Sequence, residues 1–241
     1  ANNFTVTDSF TGSLTISTPL SISGALTHSG TSTTGITWTQ DEENDLHVVG
    51  NMDVNSGAYV TVARSSTSGN GSGQSIRVDG NLTVFGDGTG TGTITADEGG
   101  FGADSGPGAN AVVGDRNGVS HGGRGGEHVK DNDAGDTYGS FTDPSSLGSG
   151  GIFGKAGGGA IILNVNGTIT VDGLLSANGG ASCGGSCSGA AGGSINITAN
   201  TLTGAGVIKA NGDASAYGGG GGGRIGLNGV TTNGFRGTLQ A

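Results

Sequence analysis

The chain has 241 residues, of which 56 are glycine, and a formal net charge of −10 with only 12% charged residues. This acidic balance and the scatter of the 9 lysine and arginine residues argue against nucleic acid as a partner, because phosphate binding requires concentrated positive charge. No apolar stretch approaches the roughly eighteen residues that span a bilayer, so we expect no membrane insertion. Charge is too sparse for a typical disordered chain, in which low hydrophobicity accompanies dense charge.

The first apolar residues follow a period of two, which is the signature of strands that bury alternate side chains. They lie at even positions: Phe4, Val6, Phe10, Leu14, Ile16, Leu20, Ile22 and Leu26. A second period of six is superimposed on the first, and it is clearest in residues 160–180, where Leu163, Ile169 and Leu175 form one row. Short strands joined by two-residue corners such as Asn166-Gly167 keep one face inward, and three of them close one coil of a solenoid.

A longer repeat is marked by the phrase Gly-x-[Leu/Ile]-x-Ala. It occurs as "GTITA" (92–96), "GLLSA" (173–177), "GVIKA" (206–210) and "GTLQA" (237–241). A glycine-led strand precedes three of these phrases and aligns Ile161, Ile195 and Ile225. Repeats on this scale indicate stacked units that share one core. Glycine runs such as 218–223 lie where a loop re-enters a coil, so we expect every loop to leave the solenoid at one corner.

These patterns predict an all-β fold, a parallel β-helix that forms a single domain over residues 1–241, with a long glycine-rich insertion at 97–156. An antiparallel sandwich also suits the alternation and the turn glycines, and a Gly/Ser linker between unrelated strands is the weakest alternative. A helical fold is excluded because each helical glycine costs about 1 kcal/mol and no 3.6-residue pattern is present. Six-residue spacing is typical of left-handed coils, but irregular loops are commoner in right-handed ones, which we favour.

The glycine-led repeats resemble a known type of sequence. The frame Gly-Gly-[Ser/Ala]-Ile, then Ile-x-Ala-Asn-Gly, then the "GGGGGGRI" of residues 218–225 is similar to the glycine-rich repeat regions of large secreted or cell-surface bacterial proteins. The resemblance covers roughly residues 71–241. It implies a parallel β-solenoid in an extracellular setting, and it transfers no catalytic motif.

The two cysteines, Cys183 and Cys187, lie in "ASCGGSCSG". Too few other ligands lie nearby for a metal site, so we predict a disulfide that closes a small loop. Such a short loop stabilises the fold by only about 2 kcal/mol. A disulfide indicates an oxidising compartment.

The insertion contains most of the residues that are able to bind metal. Asp131, Asp133 and Asp136 surround a glycine turn, and oxygen ligands of this kind suit Ca²⁺. The order of the EF-hand is not kept, so the alternative is a solvated acidic turn. His121, Glu127 and His128 are candidate transition-metal ligands, and the alternative is that the two histidines are surface residues of a glycine loop. Five sequons offer glycosylation sites: Asn3, Asn70, Asn81, Asn166 and Asn196.

Two outward patterns suggest other activities. Arg77 and Asp79 point out from a strand, as the catalytic residues of polysaccharide lyases on β-helices do, but equivalents on later coils are missing, and we predict no enzyme. The Thr-x-Thr pairs at 168–170 and 201–203 suggest an ice-binding face. Threonine is a common strand residue, however, and the sequence shows no repetition of these pairs coil after coil.

The two ends of a solenoid expose unpaired strand edges that invite association. Neither end of this sequence contains a pattern typical of a capping helix, and the phrase "GTLQA" (237–241) lies inside a repeat. We therefore expect an extracellular structural protein whose copies stack head-to-tail into a surface fibre. The alternative is an adhesin or stalk segment that binds a glycan or a partner through the 97–156 loop.

Overall fold

The structure is a computed structural model. It describes residues 46–86, 91–109, 117–128, 134–181 and 187–241, and the backbone of five short strands within residues 4–38. The described residues contain strands and irregular segments and no helix, so no helix able to cross a bilayer is found among them.

Nineteen strands are described. The first nine are β1 (Phe4–Val6), β2 (Leu14–Ile16), β3 (Ser21–Ile22), β4 (Leu26–His28), β5 (Gly35–Trp38), β6 (Leu46–Val48), β7 (Met52–Val54), β8 (Tyr59–Val62) and β9 (Arg64–Ser66). The next five are β10 (Ser72–Val78), β11 (Leu82–Val84), β12 (Thr93–Thr95), β13 (Ala160–Val171) and β14 (Leu174–Ser176). The last five are β15 (Ser194–Thr203), β16 (Val207–Lys209), β17 (Arg224–Asn228), β18 (Thr232–Asn233) and β19 (Thr238–Gln240).

These strands form three parallel faces, which confirms the predicted parallel β-helix. Face 1 stacks β3, β6, β10, the first half of β13, the first half of β15, and β17. Face 2 stacks β1, β4, β7, β11, the second halves of β13 and β15, and β18. Face 3 stacks β2, β5, β8, β12, β14, β16 and β19. The chain visits the faces in the order 1, 2, 3, and each such passage is one coil.

We number the coils by their strands. Coil I contains β3–β5, coil II β6–β8, coil III β10–β12, coil IV β13–β14, coil V β15–β16 and coil VI β17–β19. The alignments predicted from the sequence are confirmed, because Ile161, Ile195 and Ile225 stack on face 1. The four Gly-x-[Leu/Ile]-x-Ala phrases also stack, with their apolar residues in one row on face 3: Ile94, Leu175, Ile208 and Leu239.

The core fills the inside of the coils. Leu46, Ile76, Leu163 and Ile197 form one inward row of face 1, and each is at most 2% exposed. Burial of each such side chain stabilises the fold by roughly 1.5–3 kcal/mol. Because each coil contributes only one layer to this core, a coil is stable only when neighbouring coils cover it.

The longer insertions leave the solenoid at one corner, but residues 85–92, which join β11 of face 2 to β12 of face 3, form a smaller insertion at another corner, so the prediction of a single corner was only partly right. Segments 63–71, 97–159, 177–193 and 210–223 all join a face 3 strand to the next face 1 strand. The first contains β9, which pairs antiparallel with the start of β10. The other three contain no strand in their described residues.

The described residues of these three insertions pack together into an ordered unit, which we call the glycine bundle. Its segments bond to one another at every third residue: Gly189 N–H donates to the Gly218 carbonyl (2.8 Å), and Gly192 N–H donates to the Gly221 carbonyl (3.0 Å). Two further pairs of segments bond at the same interval of three residues. In one pair, the N–H groups of Gly123 and Gly126 donate to the carbonyls of Gly222 and Gly219. In the other, the N–H groups of Ser188 and Ala191 donate to the carbonyls of Ile152 and Ser149. This interval matches the three residues per turn of a polyproline II helix, which has no hydrogen bonds within the helix, so its backbone groups are free to bond to adjacent segments.

Close backbone approach explains the glycine content of this bundle. A Cβ atom on Gly193 would lie 1.8 Å from the Gly159 carbonyl oxygen, and one on Gly118 would lie 1.8 Å from the Gly219 carbonyl oxygen. Neighbouring segments therefore tolerate no side chain where they touch. The glycine runs were interpreted as re-entry turns, and several of them also form this packed bundle.

The outward side of face 2 carries a row of short polar residues. This row contains Asp53, Thr83, Thr170 and Thr203 on coils II to V. Among the described residues, Thr-x-Thr pairs lie on coils IV and V, as expected from the sequence, and Thr83 extends one of the two rows to coil III. The insertions between strands change the spacing along the sequence, so this stacked row is visible only after the strands are paired.

Candidate functional site

The last coil leaves part of the core uncovered. Strands β17, β18 and β19 each pair with coil V on one side, and no strand among the described residues pairs with their other side. Leu239 on β19 is 48% exposed, whereas Ile208 and Leu175 in the same inward row are 0% exposed. Ile225 and Leu227 on β17 are also only partly buried. The open side of coil VI therefore presents apolar residues on β17 and β19 and, in the inward row of face 2, the exposed Asn233 of β18.

The opposite end presents the matching edge. Strand β1 pairs only with β4, and β2 pairs only with β5, within the described part of the chain. By backbone register, position 14 of β2 is in line with position 239 of β19 along face 3. The strands at both ends run in the same direction, so the two edges are of the kind that pair in parallel.

A polar cluster lies on the outward side of face 1. The Asp79 carboxylate accepts hydrogen bonds from His47 Nε2 (2.9 Å), Arg77 Nε (3.2 Å) and Asn166 Nδ2 (3.2 Å). The bond from His47 and, after it, the bond and charge of Arg77 hold the pKa of Asp79 below its usual value. These side chains come from coils II, III and IV, so the cluster joins three layers of the stack.

Only part of this cluster was found from the sequence. Arg77 and Asp79 were identified as outward residues without equivalents on the following coils, but their partners His47 and Asn166 were missed. His47 lies 30 residues before Arg77, directly across from it in the register of β6 and β10. In the sequence, this alignment is indicated by the apolar residues that flank each outward residue: Leu46 and Val48 flank His47, and Ile76 and Val78 flank Arg77. The Asp79 carboxylate is occupied by three hydrogen-bond donors.

A buried histidine–tyrosine pair lies inside the glycine bundle. His121 is 0% exposed, its Nδ1 donates to the Gly192 carbonyl oxygen (2.7 Å), and its ring packs against Tyr138 with 4.8 Å between ring centroids. Its Nε2 atom is buried and has no hydrogen-bond partner among the described residues. Burial lowers the pKa of His121 to about 4, and it raises the pKa of Tyr138. Both groups are therefore neutral near pH 7 and serve packing.

Residues 138–147, which we call the strap, cross face 1 over several coils. The Tyr138 carbonyl accepts hydrogen bonds from the Arg224 guanidinium of coil VI (3.0 and 3.3 Å). Asn196 of coil V donates to the Asp143 carboxylate (2.6 Å), and Gly73 of coil III donates to a strap carbonyl (3.4 Å). The strap thus covers one half of face 1 and links coils that are not adjacent.

The predicted metal ligands are not brought together in the described residues. Asp131 and Asp133 lie outside them, and Asp136 is exposed. No group of three or more His, Cys, Asp or Glu side chains suited to a metal is found where the structure describes the chain. His121 packs on Tyr138 whereas His128 packs on Tyr217, so the two histidines take separate positions. The Ca²⁺ site stays a prediction.

The disulfide between Cys183 and Cys187 also stays a prediction, because Cys183 lies outside the described residues. Cys187 is 2% exposed, and its sulfur lies 2.7 Å from the Phe153 carbonyl oxygen. Cys187 therefore lies at a buried position of the glycine bundle.

The sequons have different environments. Asn3 lies outside the described residues, whereas Asn70, Asn81 and Asn166 are exposed. Asn196 is 5% exposed, and its Nδ2 donates to Asp143 under the strap. A glycan on this nitrogen is incompatible with the folded strap, and the other sequons stay predictions.

Comparison with known proteins finds no matching family model, curated protein or solved structure. The surfaces described above are therefore the basis for proposing a function.

Proposed function

We propose that the protein is an extracellular structural subunit whose copies stack head-to-tail through the open coils of the solenoid. The observation that carries this proposal is the uncovered inner layer of coil VI, where Leu239 is 48% exposed while its neighbours in the row are fully buried. An exposed apolar row beside unpaired strand edges favours the addition of another strand layer.

A second copy offers that layer. Strands β1 and β2 of the added copy continue faces 2 and 3, where β18 and β19 have one free side. Parallel pairing continues in the same direction from one copy to the next, so the contact is heterologous and propagates into a filament unless it closes into a ring. The low content of charged residues, 12%, and the packed glycine bundle suit a durable extracellular scaffold.

The test is negative-stain electron microscopy of the purified protein over a concentration series, with two matched variants. Leu239→Lys places a charge on the open coil, and Val49→Lys places the same charge at a position that is 45% exposed but lies away from both end coils. We expect unbranched filaments from the unmodified chain and from Val49→Lys, and short rods from Leu239→Lys. Isolated rods from the unmodified chain at every concentration contradict the proposal.

The alternative, an adhesin that binds through the 97–156 insertion, is favoured by exposed aromatic side chains on that segment. Phe141 is 80% exposed and Phe153 is 54% exposed, with a positive φ of 50° at Phe153. Exposed aromatic side chains are enriched at protein–protein interfaces. Deletion of the whole insertion is a poor test because it removes buried residues such as Leu147. Phe141→Ser and Phe153→Ser, assayed on a glycan array, test this alternative without removing the bundle.

A further inference from the structure

We propose that face 2 binds ice. The outward side of this face carries two parallel rows of short polar residues, most of them threonine. The first row includes Thr83, Thr170 and Thr203 on coils III, IV and V. The second row lies two residues earlier and includes Thr168 and Thr201, with Thr232 on coil VI. On coil III this position is Asn81, just before β11, and its Oδ1 accepts a hydrogen bond from the Thr168 N–H (2.9 Å).

The register makes these rows a two-dimensional array. Successive coils are about 4.8 Å apart, and residues i and i+2 on one strand are about 6.6 Å apart. These two spacings are close to the oxygen repeats on the prism faces of hexagonal ice. Thr168, Thr170, Thr201 and Thr203 form the centre of the array, and their partners are fixed by parallel pairing without a shift within face 2.

The hydroxyl groups of this array are available to water. Thr83, Thr168, Thr170, Thr201 and Thr203 are all partly exposed, and none of their side-chain hydroxyls has a hydrogen-bond partner within the described part of the chain. Each hydroxyl therefore bonds to water, while the neighbouring methyl groups order the same water layer without bonding to it. A regular alternation of hydroxyl and methyl groups is a template for an ordered water layer.

The other two faces provide the contrast. Face 1 carries His47, Arg77 and Asp79 and is half covered by the strap. Face 3 also has an outward threonine row through Thr61 and Thr95, but it continues into Ser176, which is 0% exposed, and then into Lys209 and Gln240. Threonine is therefore not simply placed at every outward position.

Face 2 also lacks the features that other partners require. Its outward rows over coils III to V contain no aromatic side chain to stack on a sugar, no cation to bind phosphate, and no large apolar anchor for a protein. Asp53 on coil II is the charged residue in the described rows. Neutral, short and evenly spaced side chains fit a crystalline surface of water better than a shaped macromolecule.

The test is adsorption of the fluorescently labelled full chain to a growing ice crystal, together with thermal hysteresis. Thr170→Tyr places a bulky ring at the centre of the array, and Thr203→Tyr places one at coil V. Thr198→Tyr is the matched control because Thr198 is exposed on face 1. Circular dichroism before each assay identifies variants that fail to fold, and Thr203→Tyr decides the question if Thr170→Tyr is one of them.

We expect the unmodified chain and Thr198→Tyr to adsorb to ice, and both face 2 variants to lose adsorption and hysteresis. The proposal is overturned if the unmodified chain is excluded from ice, if both face 2 variants still adsorb, or if the face 1 control is lost equally. Binding to crystalline cellulose or chitin without adsorption to ice assigns the face to a polysaccharide instead. The assay uses dilute protein, so its result is independent of filament formation.

Discussion

Acidification should destabilise the glycine bundle through one residue, His121. In the folded chain its Nδ1 donates to the Gly192 carbonyl, and its Nε2 is buried without a partner. Protonation of Nε2 would bury a charge and a second N–H with no acceptor. The pKa of His121 is therefore lowered from 6.5 to about 4.

The sign and size follow from linkage. Because the folded pKa lies below the unfolded one, the unfolded chain takes up the proton first as pH falls. The free energy of unfolding therefore has its full value above about pH 6.5, and it decreases as the pH is lowered from 6.5 towards 4. This window corresponds to roughly 3 kcal/mol, at about 1.4 kcal/mol per pH unit.

The assay is urea unfolding between pH 7.5 and 4 for the unmodified chain and for His121→Asn. The asparagine amide retains a donor for the Gly192 carbonyl and does not titrate in this range. Any difference between the two pH profiles therefore belongs to His121, since the carboxylates are the same in both. We expect the unmodified chain to lose about 3 kcal/mol more than the variant over this range. Parallel profiles would refute the argument.

Three further predictions concern the surface cluster, the bundle and the core. His47→Ala removes the largest cause of the lowered Asp79 pKa, so the carboxyl should titrate nearer its usual value in an NMR pH series. Gly193→Ala places a Cβ 1.8 Å from a backbone oxygen, whereas the Cβ of Gly219→Ala has its nearest neighbour at 3.5 Å. Thermal unfolding should show that overpacking destabilises Gly193→Ala by about 1–3 kcal/mol or more, and that Gly219→Ala is little changed. Leu175→Ala, at a position 0% exposed, should cost about 2–5 kcal/mol in urea unfolding, and a cost below 1 kcal/mol would contradict the stacked core.

Much of the solenoid was predictable from the sequence because its strands repeat. Alternation of apolar and polar residues determines which side chains face inward, and this alternation is a local property of a strand. The Gly-x-[Leu/Ile]-x-Ala phrase then aligned Ile94, Leu175, Ile208 and Leu239 correctly. The corner from which the longer loops leave followed from the same alignment.

The candidate sites were less predictable because each depends on neighbours from other coils. His47 and Asn166 meet Asp79 from 32 and 87 residues away. The threonine pairs at 168–170 and 201–203 were noted from the sequence, but their stacking on each other and on Thr83 was missed, since insertions of unequal length separate these residues along the chain. Glycine content alone did not reveal the bundle, whose bonds join three insertions.

The sequence by itself determined the strands, the inward rows and the corner from which the longer loops leave, because periodicity and turn chemistry act over a few residues. Only the tertiary structure decided which outward side chains share a face, that His121 is buried without a partner for Nε2, and that the glycine runs pack as one unit. Outward residues contribute little to core burial, so the apolar periodicity of the sequence does not show which outward residues lie next to each other. Stacking places residues from distant parts of the chain about 4.8 Å apart, and the surfaces on which both proposals rest arise from that stacking.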